Sequence, residues 1–226
     1  MSRFSEIKAV TLDVGGTLIQ PWPSVGHVYG ETAARHGCRV DPAILNRRFA
    51  AAWKEMSAFS HTRQQWSDLV DRVFAGLTQP VPSESFFPEI YDAFTQPGAW
   101  RVFPDVLPAL QQFRSRGLKL AVLSNWDDRL RPLLNHLQLE QYFDTLIISC
   151  EAGAAKPSPE IYQAATRALD LPAGNLLHMG DDLKCDLEGP RAAGLNALLL
   201  DRSQATGGDV VGSLTEANAI ISVDGN

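Results

Sequence analysis

Six residues of this 226-residue chain have types and placing that suit them to chemistry: Asp13, Ser124, Lys156, Asp181, Asp182 and Asp186. Asp13 follows the apolar run Ala9-Val10-Thr11-Leu12 and precedes Val14-Gly15-Gly16, so a buried strand stops on a carboxylate and turns through two glycines. Such a turn mounts a nucleophile or a metal ligand at a sheet rim and lets backbone approach a ligand closely. Ser124 stands directly after Ala121-Val122-Leu123, where its hydroxyl could hold a phosphate or carboxylate oxygen. Asp181, Asp182 and Asp186 begin a helix, and capping of orphan N–H groups accounts for any one of them. Three carboxylates within six residues, brought near Asp13, repel and raise one another's pKa unless a cation neutralises them. A hard, oxygen-seeking ion suits that site, most simply Mg²⁺. Lys156 precedes Pro157 and the N-cap Ser158, which puts a cation at a helix N-terminus. That placing costs about 0.3 to 1 kcal/mol, so an anion is expected beside it, either Asp13 or a ligand.

A sheet is needed to bring these residues together. Residues 7–14, 118–123, 145–149, 175–179 and 195–200 read as near-continuous apolar strands, and helices fall between them from Pro104, near 128–137, from Ser158-Pro159 and over 183–193. This alternation predicts the α/β class, with a doubly wound parallel sheet covered on both faces. Ligands of such sheets bind past the carboxyl ends of the strands, where Asp13, Ser124, Lys156 and Asp181 all fall. Residues 203–212 read as a loop, and a short helix follows to about Ile221.

After the first strand the period turns helical for some eighty residues. Stripes begin near Ser24, at Asp41-Pro42, at Thr62 and at Ser83, giving four helices and no strand. The third is the clearest, with Trp66, Leu69, Val70, Val73, Phe74 and Leu77 on one face. Packing alone requires such spacing, so the aromatic stripes read as the core of a small bundle and not as a cofactor site. The expected organisation is a core of residues 1–17 and 98–226 with a helical cap inserted at 18–97. Proline in both linkers, near 18–23 and 95–100, suits a cap that moves as a lid.

Composition narrows the partners. A hydrophobic content of 45% is enough for a core. Twenty basic against 26 acidic residues give a charge of −6 with no Lys/Arg-rich run, so no nucleic-acid footprint is expected. Cys38, Cys150 and Cys185 are odd in number and far apart, which argues against a disulfide framework and a zinc site and fits a reducing, cytoplasmic setting. No stretch approaches about 18 apolar residues, so no membrane partner is expected.

The order Asp13 with Gly16-Thr17-Leu18, then Ser124-Asn125, then Lys156-Pro157, then Gly180-Asp181-Asp182 with Asp186, resembles the four motifs of the haloacid dehalogenase-like hydrolase superfamily. The likeness spans the whole chain, and the helical insertion is similar to that superfamily's C1 cap. Segments such as Ala52-Trp53-Lys54 resemble one subgroup within it. The resemblance implies a Rossmann-like core and a nucleophile, Asp13, that forms an aspartyl phosphate. It implies that Ser124, Asn125, Gly16 and Lys156 bind the substrate, with Lys156 also neutralising Asp13. It implies Mg²⁺ on Asp13, the Gly15 carbonyl and Asp181, with Asp182 and Asp186 close by. The small-molecule partner would carry a phosphate.

One position departs from the pattern. Phosphohydrolases of that superfamily usually carry a second Asp two residues after the nucleophile, as general acid and base, and this chain has Gly15 there. Positioned acid–base catalysis contributes about 10²- to 10⁴-fold, so slow turnover is expected unless Asp127, Asp182, His27 or Glu31 substitutes. Three functions remain open at this point. They are a Mg²⁺-dependent phosphohydrolase of a small metabolite, a non-catalytic member binding a phosphorylated ligand or protein, and a 2-haloacid dehalogenase. The other histidines, His36, His61, His136 and His178, show no ligand spacing.

Overall fold

The computed structural model describes residues 4, 6–56, 59–203 and 207–221. In chain order the strands are β1 (Ala9–Leu12), β2 (Ile19–Pro21), β3 (Trp100–Val102), β4 (Lys119–Ser124), β5 (Thr145–Ile148), β6 (Leu176–Gly180), β7 (Asn196–Leu200) and β8 (Val210–Val211). The helices are α1 (Val25–Arg35), α2 (Pro42–Glu55), α3 (Arg63–Phe74), α4 (Phe87–Ala93), α5 (Val106–Ser115), α6 (Leu130–His136), α7 (Ser149–Ala152), α8 (Pro159–Leu169), α9 (Gly189–Ala192) and α10 (Leu214–Ile220). Two compact units result. One comprises Met1–Ile19, Val102–Asp128 and Gln138–Asn226, and the other Gln20–Arg101 and Arg129–Leu137. No helix among the described residues is long and apolar enough to cross a membrane.

The first unit is built on a six-stranded parallel sheet of order β5-β4-β1-β6-β7-β8, flanked by helices. This is the expected doubly wound α/β architecture. β1 lies between β4 and β6, with Leu12 opposite both Val122 and Met179. All four residues of β1 are buried, which explains why the run reads as continuously apolar apart from Thr11. The register brings the carboxyl ends of β1, β4 and β6 level, so Asp13, Ser124 and Asp181 leave the sheet along one edge. Beneath them Ile161, Tyr162, Ala165 and Leu169 of α8 pack on Ala9, Ala121, Leu123 and Leu176.

The second unit packs its helices around an aromatic core, as the stripes predict. Tyr29 stacks on Phe74 at 6.0 Å and meets Phe49 and Phe94 edge-on. Ser24, Asp41 and Thr62 cap α1, α2 and α3 by accepting from backbone amides, and Pro42 opens α2. Trp53 is less enclosed than its stripe suggests, lying exposed against Phe49 and Trp66.

The structure corrects several local expectations. The segment read as strand-free contains β2, which pairs with β3 where the chain passes between the units. The helix expected from Ser83 is a 3₁₀ turn at Pro82–Glu84 followed by α4, since Ser85 (φ −140°, ψ −88°) leaves helical geometry. The 203–212 loop holds β8, a two-residue strand too short to alternate visibly, and residues 204–206 lie outside the described residues. The 183–193 helix is a π-helical turn, Leu183–Glu188, followed by α9.

Candidate active site

Asp13 is 8% exposed, and both hydrogen bonds that its side chain makes among the described residues fall on one oxygen. Ser124 Oγ donates to Oδ1 at 2.9 Å and Lys156 Nζ donates to it at 2.8 Å, which leaves Oδ2 without a hydrogen bond among the described residues. The same ammonium donates to Asp186 Oδ1 at 2.6 Å. The anion expected beside Lys156 is therefore a pair of carboxylates. Lys156 reaches them because Asn125 grips its backbone, donating from Nδ2 to the Lys156 carbonyl at 2.9 Å and accepting from the Lys156 amide at 2.7 Å. Asn125 thus positions the lysine through both ends of its amide.

Gly16 and Gly180 make room for the carboxylates. Gly16 has φ +77°, and a Cβ there would lie 2.1 Å from Asp181 Oδ2. A Cβ on Gly180 would lie 2.3 Å from the Asp186 carboxyl. The turn after β6 is closed by Asp182, whose Oδ1 accepts from the Cys185 amide at 2.7 Å, and by Asp186, whose Oδ2 accepts from the Asp182 amide at 2.9 Å. The π-helical turn so formed returns Asp186 to the sheet edge.

Asp13, Asp181 and Asp186 each offer an oxygen within 4.8 Å of the others. Asp182 is outside this set, as its side chain caps the turn. A single buried ammonium faces three carboxylates, and the charge left over shows in their titration. Burial and the ionised neighbours push Asp181 up to about 7. Burial also raises Asp13 against the pull of Lys156. Asp186 is held well below the ordinary carboxylate range: Lys156 and a hydrogen bond from His178 outweigh its burial. The donor set is all oxygen and carries excess negative charge, so it fits a hard divalent cation.

Two polar residues inside the strands complete the network: His178, in which the sequence shows no ligand spacing, and Thr11, to which it gives no role. His178 Nε2 lies 2.9 Å from Asp186 Oδ1, and His178 Nδ1 lies 2.8 Å from Thr11 Oγ1. Both are fully buried and face each other across the β1–β6 register. Burial holds the imidazole neutral. Nε2–H therefore donates to the carboxylate and Nδ1 accepts from the threonine hydroxyl. The available signal was a histidine and a threonine in otherwise apolar strands. Trp126, two residues past β4, also goes unremarked in the sequence: its Cζ3 lies 3.2 Å from where a Gly15 Cβ would sit. Among the residues considered as a substitute acid, Asp127 is buried in the sheet unit, while His27 and Glu31 belong to the helical unit.

Two outcomes follow locally. Gly16→Ala adds a methyl where φ is positive and space is absent, so it costs about 1 to 2 kcal/mol and displaces the Asp181 carboxylate. Unfolding in urea tests this, and unchanged stability would sink this account of Gly16. His178→Leu leaves the Thr11 hydroxyl without its acceptor and Asp186 without a donor, at about 1 to 3 kcal/mol. Urea unfolding checks it, and a loss below about 0.5 kcal/mol would mean the pair is dispensable.

Residues 7–194 match the family model described as haloacid dehalogenase-like hydrolase, and the chain belongs to that family. It is 34% identical over 216 residues to haloacid dehalogenase-like hydrolase domain-containing protein 3 of Homo sapiens, covering 91% of this chain and 86% of the relative. A protein of Mycobacterium tuberculosis named as a phosphatase is 40% identical over 121 residues, 53% of this chain and 55% of its own length. Among solved structures, an L-2-haloacid dehalogenase from Xanthobacter autotrophicus with chloropropionic acid covalently bound superposes with a TM-score of 0.72. It covers 95% of this chain and 98% of its own at 20% identity, which shows the fold alone.

Proposed function

We propose that this hydrolase is a Mg²⁺-dependent phosphohydrolase of a small phosphorylated metabolite, working through an aspartyl phosphate on Asp13. The observation that carries the reading is the Lys156 ammonium shared between Asp13 Oδ1 and Asp186 Oδ1 at 2.8 and 2.6 Å. It orients Asp13 with no hydrogen bond on Oδ2 among the described residues and sets a cation where a phosphoryl group would carry charge. Asp13, Asp181 and the Gly15 carbonyl would hold the ion, with Asp186 behind them bound to Lys156 and His178. When bound, Mg²⁺ supplies positive charge against the phosphoryl oxygens.

The residues of the chain divide the remaining work. Asp13 Oδ2 attacks phosphorus, Ser124 Oγ and Lys156 Nζ face the transferred group, and Asn125 keeps Lys156 in place. The name of the Mycobacterium relative agrees with this chemistry. A haloacid dehalogenase shares the fold, but displacement of halide from carbon has no use for three converging carboxylates. The cluster is what favours the phosphohydrolase. The deciding experiment is rapid quenching with p-nitrophenyl phosphate and Mg²⁺ followed by mass spectrometry of the peptide containing Asp13. One phosphoryl group on that peptide is the expected result. Phosphate release without any labelling of Asp13, or no reaction at all while Mg²⁺ binds, would overturn the proposal.

A further inference from the structure

The turn that follows Asp13 is tied to the far side of the sheet by one guanidinium. Within the turn Gly16 donates to the Ile19 carbonyl at 2.8 Å, and the Leu18 and Ile19 amides donate to the Val14 carbonyl at 2.8 and 3.1 Å. Two of its carbonyls have partners elsewhere. The Leu18 carbonyl accepts from the Phe103 amide at 3.0 Å, and the Thr17 carbonyl accepts from Arg202 Nη2 at 2.7 Å. Arg202 stands two residues past the end of β7, and Leu199 of that strand lies opposite Gly180, so it leaves the sheet along the edge that bears Asp181. Its Nη1 donates to Asp105 Oδ1 at 2.8 Å, and its Cζ lies 3.9 Å from the centroid of the Phe103 ring. Asp105 is fixed in turn, accepting from the Leu214 amide on Oδ2 at 2.8 Å. The Thr17 hydroxyl is fully buried and has no hydrogen bond among the described residues, so the carbonyl is where this residue is anchored beyond the turn.

We propose that Arg202 is a positioning residue for this site: by holding the Thr17 carbonyl it sets the Gly15-Gly16 turn against Asp181, and with it the line along which Asp13 meets a phosphoryl group. The kinetic part of the inference rests on the phosphohydrolase reading above. Arg202 acts through the turn and moves no proton. The turn has no slack to absorb a displacement, because Gly16, next to Thr17, already lies where a Cβ would fall 2.1 Å from Asp181 Oδ2. A shift of the Thr17 carbonyl is therefore passed to Gly16 and to the Asp181 carboxylate. A misplacement of about 1 Å at a reacting centre lowers a rate by about 10²-fold. The planar guanidinium suits the task, since its fork serves a carbonyl and a carboxylate at once while its face lies on an aromatic ring. A lysine ammonium is a point charge with no such fork or face.

The test compares the full wild-type chain with Arg202→Met and Arg202→Lys in two measurements. The first is rapid quenching with p-nitrophenyl phosphate and Mg²⁺, which gives the rate constant for phosphorylation of Asp13 and the substrate concentration that half-saturates it. In Arg202→Met the rate constant should fall about 10- to 100-fold while half-saturation changes by less than about threefold. Arg202→Lys should recover little of the loss. The second measurement is amide hydrogen exchange without substrate. Residues 14–19 should exchange at least about tenfold faster in Arg202→Met, with β4 and β5 unchanged, which marks a local loosening and not a weaker fold. A phosphorylation rate constant within about twofold of wild type would overturn the inference, whatever happens to Tm, and leave the phosphohydrolase intact. Full activity in Arg202→Lys would overturn it too, as charge alone would then suffice. If the wild type itself labels no Asp13, the phosphohydrolase reading falls and exchange decides: unchanged exchange at 14–19 removes Arg202 from the turn's support, and faster exchange confined there keeps it. Should Arg202→Met not fold, Asp105→Asn keeps the arginine and loosens its hold, and it should move both readouts in the same direction by at least about threefold. No movement in Asp105→Asn and Arg202→Lys together would overturn the inference.

Discussion

Lys156→Met should unfold at a temperature lower by roughly 6 to 20 °C at pH 7 and should form no phosphoenzyme. The ammonium bridges two carboxylates at 2.8 and 2.6 Å, and its side chain is 2% exposed. Removing it leaves Asp13 and Asp186 buried side by side with no cation, and breaking a buried pair in this way costs about 3 to 5 kcal/mol. For a chain of this size each kcal/mol shifts Tm by about 2 to 4 °C. The sign with pH is distinctive. In the native protein Asp186 is held below its ordinary range, so its stabilisation is present above about pH 4 and is lost as pH falls further. In the variant that stabilisation is replaced by repulsion, which protonation relieves, so the gap to wild type should shrink as pH falls towards 4. Thermal scans from pH 4 to 8 check both parts. A drop of less than about 2 °C at pH 7 would mean that the pair contributes little to the fold.

Asp181→Asn should separate metal binding from folding. The Asp181 carboxyl is pushed up to about 7 by burial and by Asp13 and Asp186, so the folded state binds its proton more tightly than the unfolded chain does. The raised value means that metal-free stability is lost as pH rises from about 4 through about 7. With EDTA present, the Asn variant should match wild type near pH 4 and melt higher than wild type at pH 8. Mg²⁺ should reverse the order. A ligand at 100 times its Kd adds about 2.7 kcal/mol to the native state, or about 5 to 10 °C here, and the variant should gain almost none of it. Mg²⁺ affinity of the wild type should also weaken below pH 7, because the ion competes with that proton. Equal Mg²⁺-induced shifts in the two proteins would remove Asp181 from the proposed metal site.

What the chain shows without its fold is set by short-range order. Asp13, Ser124 and Asp181 are legible because each ends an apolar run, and a strand's direction fixes which end meets a ligand. The caps of α1 to α3 and the aromatic core of the helical unit follow from spacing within a single helix. Lys156 is legible as a cation out of place at a helix start, and the structure supplies its two carboxylates.

The tertiary structure alone decides what crosses between strands and turns. Asp182 and Asp186 are equivalent by composition, and only the π-helical turn sends one to cap an amide and the other to Lys156. Asn125 reads from the sequence as a ligand-binding residue, and only the fold shows both ends of its amide on the Lys156 backbone. His178 and Thr11 lie 167 positions apart and become partners through the parallel register of β1 and β6. Trp126 and Gly15 meet for the same reason, since β4 lies beside β1 and delivers the indole to the turn. Periodicity reports which face of an element a residue occupies. Which neighbour it meets there depends on strand order and register, and those are properties of the packed sheet.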